Sequence, residues 1–262
     1  MFGIALPLSV KAHEFWIMPQ QWHAKSGQDL SIFLKVGERF KGLSEFYLPQ
    51  DIQQFDHISP HDITPIKGRL GDMPPGKITP IENGIHLIRH ETKDKLIIYK
   101  TLEKFKSFAA KKGFPDAAQQ HLERQLPDVY FNEIYRRYAK SIFTVGSCQG
   151  GDRRLGMAVE IIALTKPCAG AGAMVLQFER DDQPWAGAYV TVMAKPLESG
   201  AEEVMESHHK TGADGQLRIT TEAGMAYLID AVSLDAIDQT VHPSGAVWQT
   251  RWASLTFATS EY

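Results

Sequence analysis

Several features that mark specialised protein classes are scarce in this 262-residue sequence. Only two cysteines occur, and no CxxC or Cys/His cluster has the spacing of a structural zinc site. The formal net charge is −3, and no basic stripe with interleaved aromatic residues is present, which argues against a nucleic-acid partner. No apolar run reaches the roughly 20 residues of a membrane-spanning helix, so the protein is not expected to span a membrane itself.

Catalytic signatures are also missing. The sequence contains no GxSxG, HExxH or GxxxxGK[ST] motif, and no GxGxxG between a strand and a helix. Ser147 and Cys148 lie in a glycine-rich stretch, but a turn needs such glycines for positive φ without any chemistry. The sequence therefore does not indicate an enzyme.

The first twelve residues are typical of an export signal. Residues 2–10 are apolar, and Val10 and Ala12 fit the −3 and −1 positions of a signal-peptidase site. No charged segment precedes the run, which suggests that the true start lies upstream; a buried first strand is the alternative. We expect cleavage after Ala12 and a periplasmic location. There, Cys148 and Cys168 could form one disulfide or remain as two buried thiols.

Alternating apolar residues predict a mainly β protein. Leu30, Ile32, Leu34 and Val36 share one face of a predicted strand. Other strands are predicted at 14–18, 84–90, 95–99, 141–145, 154–165, 174–179, 188–194, 216–220, 226–231 and 248–257, and helices at 101–113, 115–125 and 132–139.

The predicted elements divide the chain near residue 150. Residues 13–150 are expected to form a β-sandwich-like domain with a short helical insertion near 101–139. Residues 151–262 show only strand patterns and turn residues, which favours a second sandwich of transthyretin or immunoglobulin type.

Six segments, in this order along the chain, resemble one known family. They are AHEFWIMP at 12–19, VGERF at 36–40, YRRYAKS at 135–141, PWAGAYV at 184–190, TGADGQ at 211–216 and WASLTF at 252–257. The chain is similar to periplasmic proteins that are catalogued as a domain of unknown function and linked to cobalt and nickel uptake systems. The resemblance implies a metal-binding accessory protein that serves a transporter component in the inner or outer membrane.

His13 carries the chemistry that fits this expectation. Cleavage after Ala12 would leave His13 with a free α-amino group beside its imidazole, and the two nitrogens could chelate one ion. Such nitrogen donors suit nickel, cobalt, copper and zinc rather than magnesium or calcium. We therefore expect a divalent nickel or cobalt ion, with copper as an alternative.

Further metal ligands are sought among the other histidines. His208 and His209 follow Glu206 in what reads as an exposed acidic loop, and His242 precedes the terminal strand. On a strand, adjacent histidines would point to opposite faces, whereas in a loop both could bind one ion. His86 and His90 are interpreted as part of a polar sheet face. The remaining histidines are interpreted as surface residues: His23, His57, His61 and His121.

Two other functions stay open at this stage. One is a copper oxidase in which a second histidine faces His13 in a histidine brace. The other is a carbohydrate- or protein-binding β-sandwich that uses no metal.

Overall fold

The computed structural model describes residues 13–198 and 203–260, so the predicted leader, residues 1–12, lies outside the described residues. The mainly β class is confirmed, since half of the residues are in strands and 8% in helices. In chain order the elements are β1 Glu14–Pro19, β2 His23–Ala24, β3 Leu30–Glu38, β4 Lys41–Ser44, β5 Ile52–Ile58, β6 Ile63–Pro65, β7 Gly76–Ile78, β8 Gly84–Thr92, β9 Lys95–Tyr99, α1 Leu102–Lys111, α2 Ala117–Glu123, β10 Phe131–Val145, β11 Val159–Ala163, β12 Gly172–Arg180, β13 Gln183–Pro184, β14 Tyr189–Pro196, β15 Met205–Lys210, β16 Gln216–Thr221, β17 Met225–Ala236 and β18 Trp248–Ala258.

The strands form three sheets. The central sheet has the order β15-β14-β17-β18-β10-β8-β5-β6, with β2 and β9 also paired to β10. The N-terminal sheet has the order β1-β3-β4, with β7 paired to β3. The C-terminal sheet has the order β11-β12-β13, with β16 paired to β12.

The central sheet is buried on both faces. Successive side chains of a strand point to opposite faces, so Leu87 and Ile142 join the core shared with the C-terminal sheet. Their neighbours Ile88 and Phe143 join the core shared with the N-terminal sheet. The two sandwich-like packings therefore share one sheet.

The central sheet contains strands from both sides of residue 150. Strand β10 runs parallel to β18, with Glu133 opposite Trp248 and Ser141 opposite Thr256. The division into two domains near residue 150 stays a prediction.

The helix predicted at 132–139 is wrong, because this segment is the first half of β10. Residues four apart share a face in a strand as well as in a helix, so the spacing of Ile134 and Tyr138 fits both. Pairing with neighbouring strands decides between the helix and the strand. Strand β9 lies on one side of residues 131–135 and β18 on the other side of residues 133–141, which satisfies the backbone hydrogen bonds in the extended form.

Two other predictions differ from the structure. The strand predicted at 154–165 is reduced to β11, because the carboxylate of Glu160 accepts hydrogen bonds from the backbone N–H groups of Leu155, Gly156 and Met157 and curls that segment. The loop expected to contain His208 and His209 is strand β15, the outer strand of the central sheet. The helices predicted at 101–113 and 115–125 form α1 and α2.

Cys148 and Cys168 are joined by a disulfide. Cys148 follows β10, and Cys168 lies in a single 3₁₀ turn after β11. The bond therefore ties the central sheet to the C-terminal sheet near residue 150.

Candidate functional site

His13 lies directly before β1 and opposite the end of β3. The pairing of Glu14 with Gly37 continues the antiparallel register and brings His13 to Glu38. The Nδ1 atom of His13 lies 3.6 Å from Oε1 of Glu38, and the His13 side chain is 35% exposed. The imidazole is therefore half-buried beside a carboxylate.

The Nδ1 atom of His13 is itself shielded from solvent and has no hydrogen-bond partner among the described residues. Buried polar atoms normally have such a partner. Nδ1 is also the ring nitrogen that can form a six-membered chelate with the α-amino nitrogen of the same residue. This atom and the nearby carboxylate fit a cation at the position that the sequence predicts.

Arg137 of β10 holds the backbone at this point. Its guanidinium donates a hydrogen bond of 3.1 Å to the carbonyl oxygen of His13, and its carbon Cζ lies 5.4 Å from the ring centre of Phe15. Burial lowers the pKa of Arg137, whereas nearby Tyr135 and three carboxylates raise it. The guanidinium remains charged, because arginine does not deprotonate in proteins.

A second charged group involves Glu14, the residue after His13. The Nζ atom of Lys112, just after α1, lies 3.0 Å from Oε1 of Glu14 and 2.9 Å from Oδ2 of Asp230. Burial disfavours the ammonium form, but Asp230 and Glu14 outweigh it, so the pKa of Lys112 is raised. Burial also raises the pKa of Glu14, which Lys112 opposes.

Charged residues of both signs surround the start of β1. Glu14, Glu38 and Asp230 supply three carboxylates, whereas Lys112 and Arg137 supply two cations. We call these five residues together with His13 the His13 site.

His208 is the predicted ligand with the clearest connection to the His13 site. Its Nε2 lies 3.3 Å from Glu206, whose carboxylate lies 3.3 Å from Nε of Arg39. Arg39 follows Glu38 in the chain, and Glu38 lies beside His13, so His208 and His13 are connected only indirectly, through Glu206, Arg39 and Glu38. No contact between the two imidazoles is present in the described residues.

His209 and His242 do not join the His13 site. Because the side chains of β15 alternate, His209 points away from His208 and bonds to Ser207 through Nε2 at 2.9 Å. His242 lies between β17 and β18 and bonds to Ser244 at 2.7 Å. His242 follows the end of β17, and the last residue of that strand, Ala236, lies six residues beyond Asp230, or about 20 Å at the rise of a strand. Within residues 13–198 and 203–260, no group of three His, Cys, Asp or Glu side chains is placed to hold a metal ion.

Several other histidines are more buried than predicted. His121 is fully buried; its Nε2 donates to the carbonyl oxygen of Pro127, and its Nδ1 accepts from the indole of Trp248. Burial lowers the pKa of His121. His57 is half-buried and bonds to His86 at 2.8 Å. His90 is buried between Phe15 and Phe55, and burial lowers its pKa to about 3.

The partners of His13 were not predicted from the sequence. Each lies on a different element, and the register of β1 against β3 is not readable from either strand alone. Glu14, Glu38 and Arg137 lie in segments that carry the family resemblance, but those segments did not indicate that the three residues surround His13. The partners that the structure adds are Glu14, Glu38, Lys112, Arg137 and Asp230.

The comparisons with known proteins show the family. The family model described as "Domain of unknown function (DUF4198)" matches residues 10–235. Since this is most of the chain, the protein belongs to that family. No curated protein sequence matches the chain.

Similar solved structures have low TM-scores. A tetra-tandem repeat from the extending region of a large adhesion protein is 10% identical, with a TM-score of 0.23, and the match covers 94% of this chain and 49% of that one. A DUF4785 family protein from Legionella pneumophila is 10% identical, with a TM-score of 0.25 and coverages of 82% and 51%. The D0-D1 domain of intimin is 11% identical, with a TM-score of 0.21 and coverages of 94% and 98%. The chain thus spans about half the length of the first two, and such TM-scores carry no information about function.

Among the described residues, neither helix has the length and apolar character needed to cross a bilayer.

Proposed function

We propose that this protein is an exported accessory protein that binds a divalent transition-metal ion, nickel or cobalt, through the amino group and Nδ1 of His13. It would hold the ion in the periplasm and transfer it to a transporter component in the inner or outer membrane. The ion is the cargo of the protein in this proposal.

One observation carries the proposal. Nδ1 of His13, the ring nitrogen needed for the chelate, is buried and has no hydrogen-bond partner among the described residues. The Glu38 carboxylate beside it adds an oxygen donor to two nitrogen donors, a set that suits divalent transition metals.

The surrounding residues would orient His13 and balance its charge. Arg137 fixes the carbonyl group of His13, which limits rotation of the backbone that carries the amino group. Lys112 holds Glu14 and Asp230 in place. Three donors leave other positions on the ion open, which favours release to a partner with more ligands.

The test compares two forms of the purified protein by calorimetric titration with nickel, cobalt and copper. One form begins at His13, and the other retains Ala12, which converts the amino group into an amide. We expect the form that begins at His13 to bind nickel and cobalt at least about tenfold more tightly, because an amide nitrogen is a poor ligand for these ions at neutral pH. Glu38→Gln should weaken binding by a smaller factor.

His23→Ala is the control, since His23 lies in β2 and bonds to Thr144. This substitution should leave the affinity unchanged. Equal affinity of the two forms would refute the chelate. Mass spectrometry of the exported protein checks the premise, and a mature chain that starts at any residue other than His13 would refute it too.

A further inference from the structure

A cavity with polar and apolar residues in its lining lies at the far end of the central sheet. Its volume is about 320 Å³. It is bordered by residues 64–67, which begin in β6, and by residues 77–82, which begin in β7. Consecutive residues line it on both sides, whereas only alternate side chains of a strand reach one face. Backbone as well as side-chain atoms therefore contribute to its wall, although the carbonyl oxygens of Pro80, Ile81 and Glu82 already accept hydrogen bonds from Gly27, Ser26 and His86.

His57 and His86 form an ordered pair in its wall. Nε2 of His86 lies 2.8 Å from the carbonyl oxygen of Glu82, so this nitrogen carries the proton. In neutral His86, Nδ1 then accepts, and it does so from Nε2–H of His57 at 2.8 Å. The lone pair of His57 is consequently on Nδ1. That atom has no hydrogen-bond partner among the described residues and is not shielded from solvent.

The His57 imidazole stays neutral near pH 7. Burial and the neighbouring His86 lower its pKa to about 4. A neutral imidazole whose other nitrogen donates to a further acceptor is a good hydrogen-bond acceptor, because such chains polarise one another. His57 therefore presents a fixed acceptor to a ligand that donates hydrogen bonds.

The charges that line the cavity are separated along its length. On one side of the cavity, Asp62 precedes β6 and Lys67 follows it. On the other side, Lys77 lies in β7 and Glu82 is the last residue of the segment 77–82. Glu82 lies beside His61, which precedes Asp62, at 3.2 Å. Both carboxylates thus lie at one end, here called the acidic end, together with Nδ1 of His57. Both lysines lie at the other, the basic end.

We propose that this cavity binds a short linear peptide with free termini, its ammonium group at the acidic end and its carboxylate at the basic end. Among the described residues, neither lysine of the basic end is in an ion pair, so both are available to a ligand carboxylate. Asp62 and Lys67 are five residues apart, as are Lys77 and Glu82, which corresponds to at most about 17 Å of extended chain. The long lysine side chains can shorten the distance between the carboxylates and the ammonium groups. This length fits a peptide of two to four residues better than a free amino acid.

The probe is trialanine, titrated into the protein and followed by calorimetry at pH 7.5. We expect saturable binding that N-acetylation of the peptide weakens about tenfold or more, and that C-terminal amidation weakens similarly, because each removes a charged hydrogen-bonding group. Asp62→Asn should weaken trialanine binding severalfold and leave acetylated trialanine unaffected. Lys67→Met should do the same for the carboxylate end, with amidated trialanine unaffected.

Glu103→Gln, on the exposed side of α1, is the matched control and should change nothing. The ¹⁵N resonance of His57 Nδ1 should shift on addition of trialanine but not of its acetylated form. Absence of binding, or equal binding of blocked and free peptides, would overturn the proposal. Equal binding of acetylalanine would identify a simple anion pocket and overturn it as well. None of these results depends on metal binding at His13.

Discussion

His13, Glu133 and Lys140 each have a charged or hydrogen-bonding side-chain atom that is shielded from water. Each of these atoms therefore depends on a few partners within the protein. Nδ1 of His13 is buried and has no hydrogen-bond partner among the described residues. For Glu133 the partners are the hydroxyl groups of Tyr99 and Thr250, which donate at 3.0 and 2.6 Å.

Glu133 makes stability depend on pH. Burial raises its pKa to about 7 from the ordinary value of 4.5, while bonds from Thr250 and Tyr99 oppose the shift. Between these values the folded protein keeps a proton that the unfolded chain has lost, so the free energy of unfolding falls as the pH rises through this window. Because glutamine does not ionise, Glu133→Gln should remove this fall in the free energy of unfolding. Relative to wild type, the variant should gain about 3 kcal/mol in urea denaturation between pH 4.5 and pH 8.

The exposed Glu103→Gln serves again as the control and should show the same offset from wild type at every pH. A pH-independent difference between wild type and Glu133→Gln would mean that Glu133 is ionised throughout.

Elements were predictable where one face is apolar and the other polar. Strand β9 was predicted with its observed bounds, and the alternating apolar residues from Leu30 to Val36 identified β3. Strand β15 was missed because its residues are almost all polar and exposed, which leaves no apolar alternation to detect. The helix at 132–139 failed because the partners that make it a strand lie far away in sequence.

The β3–β4 turn is the element on which the His13 site depends most. Arg39 and Phe40 both have positive φ, 52° and 58°, as a two-residue hairpin turn requires. Such values are unfavourable for residues other than glycine. Phe40 compensates by packing its buried ring against Trp16, with ring centres 5.9 Å apart.

Gly37→Ala should damage this hairpin. A Cβ atom at residue 37 would lie 1.9 Å from the carbonyl oxygen of Lys41, so the two strands would have to separate. We expect a loss of about 2–3 kcal/mol in the free energy of unfolding and weaker metal binding, because Glu38 follows directly. Gly151→Ala, where a Cβ atom would meet nothing within 4 Å, should be nearly neutral. Thermal denaturation of both variants checks this, and equal melting temperatures would contradict it.

At the scale of the whole molecule, the central sheet unites the two halves. Its strands come from both sides of residue 150, and so does the core that it shares with the C-terminal sheet. The sequence indicated two sandwiches, but not that they share a sheet, because the parallel pairing of β10 with β18 joins segments more than 100 residues apart. Lys112, Arg137 and Asp230 of the His13 site are likewise about 100 residues or more from His13 in sequence.

Lys140 ties the halves together in the interior. Its Nζ lies 2.9 Å from Asp152 and 3.0 Å from Glu160, and all three side chains are buried. Lys140→Met leaves two buried carboxylates without a cation, so we expect a loss of about 3–5 kcal/mol at pH 7 in urea denaturation. Part of the loss should be recovered at lower pH, where the carboxylates take up protons. Lys106→Met, on the exposed side of α1, is the control; equal losses for both variants would contradict the role of Lys140.

A crystal structure of the processed protein, soaked with nickel and measured at the nickel absorption edge, tests the metal site most directly. We predict an anomalous peak within about 2.0–2.2 Å of both the terminal amino nitrogen and Nδ1 of His13, the usual range for nitrogen ligands. A peak at His208, His209 or His242 with none at His13 would contradict the account.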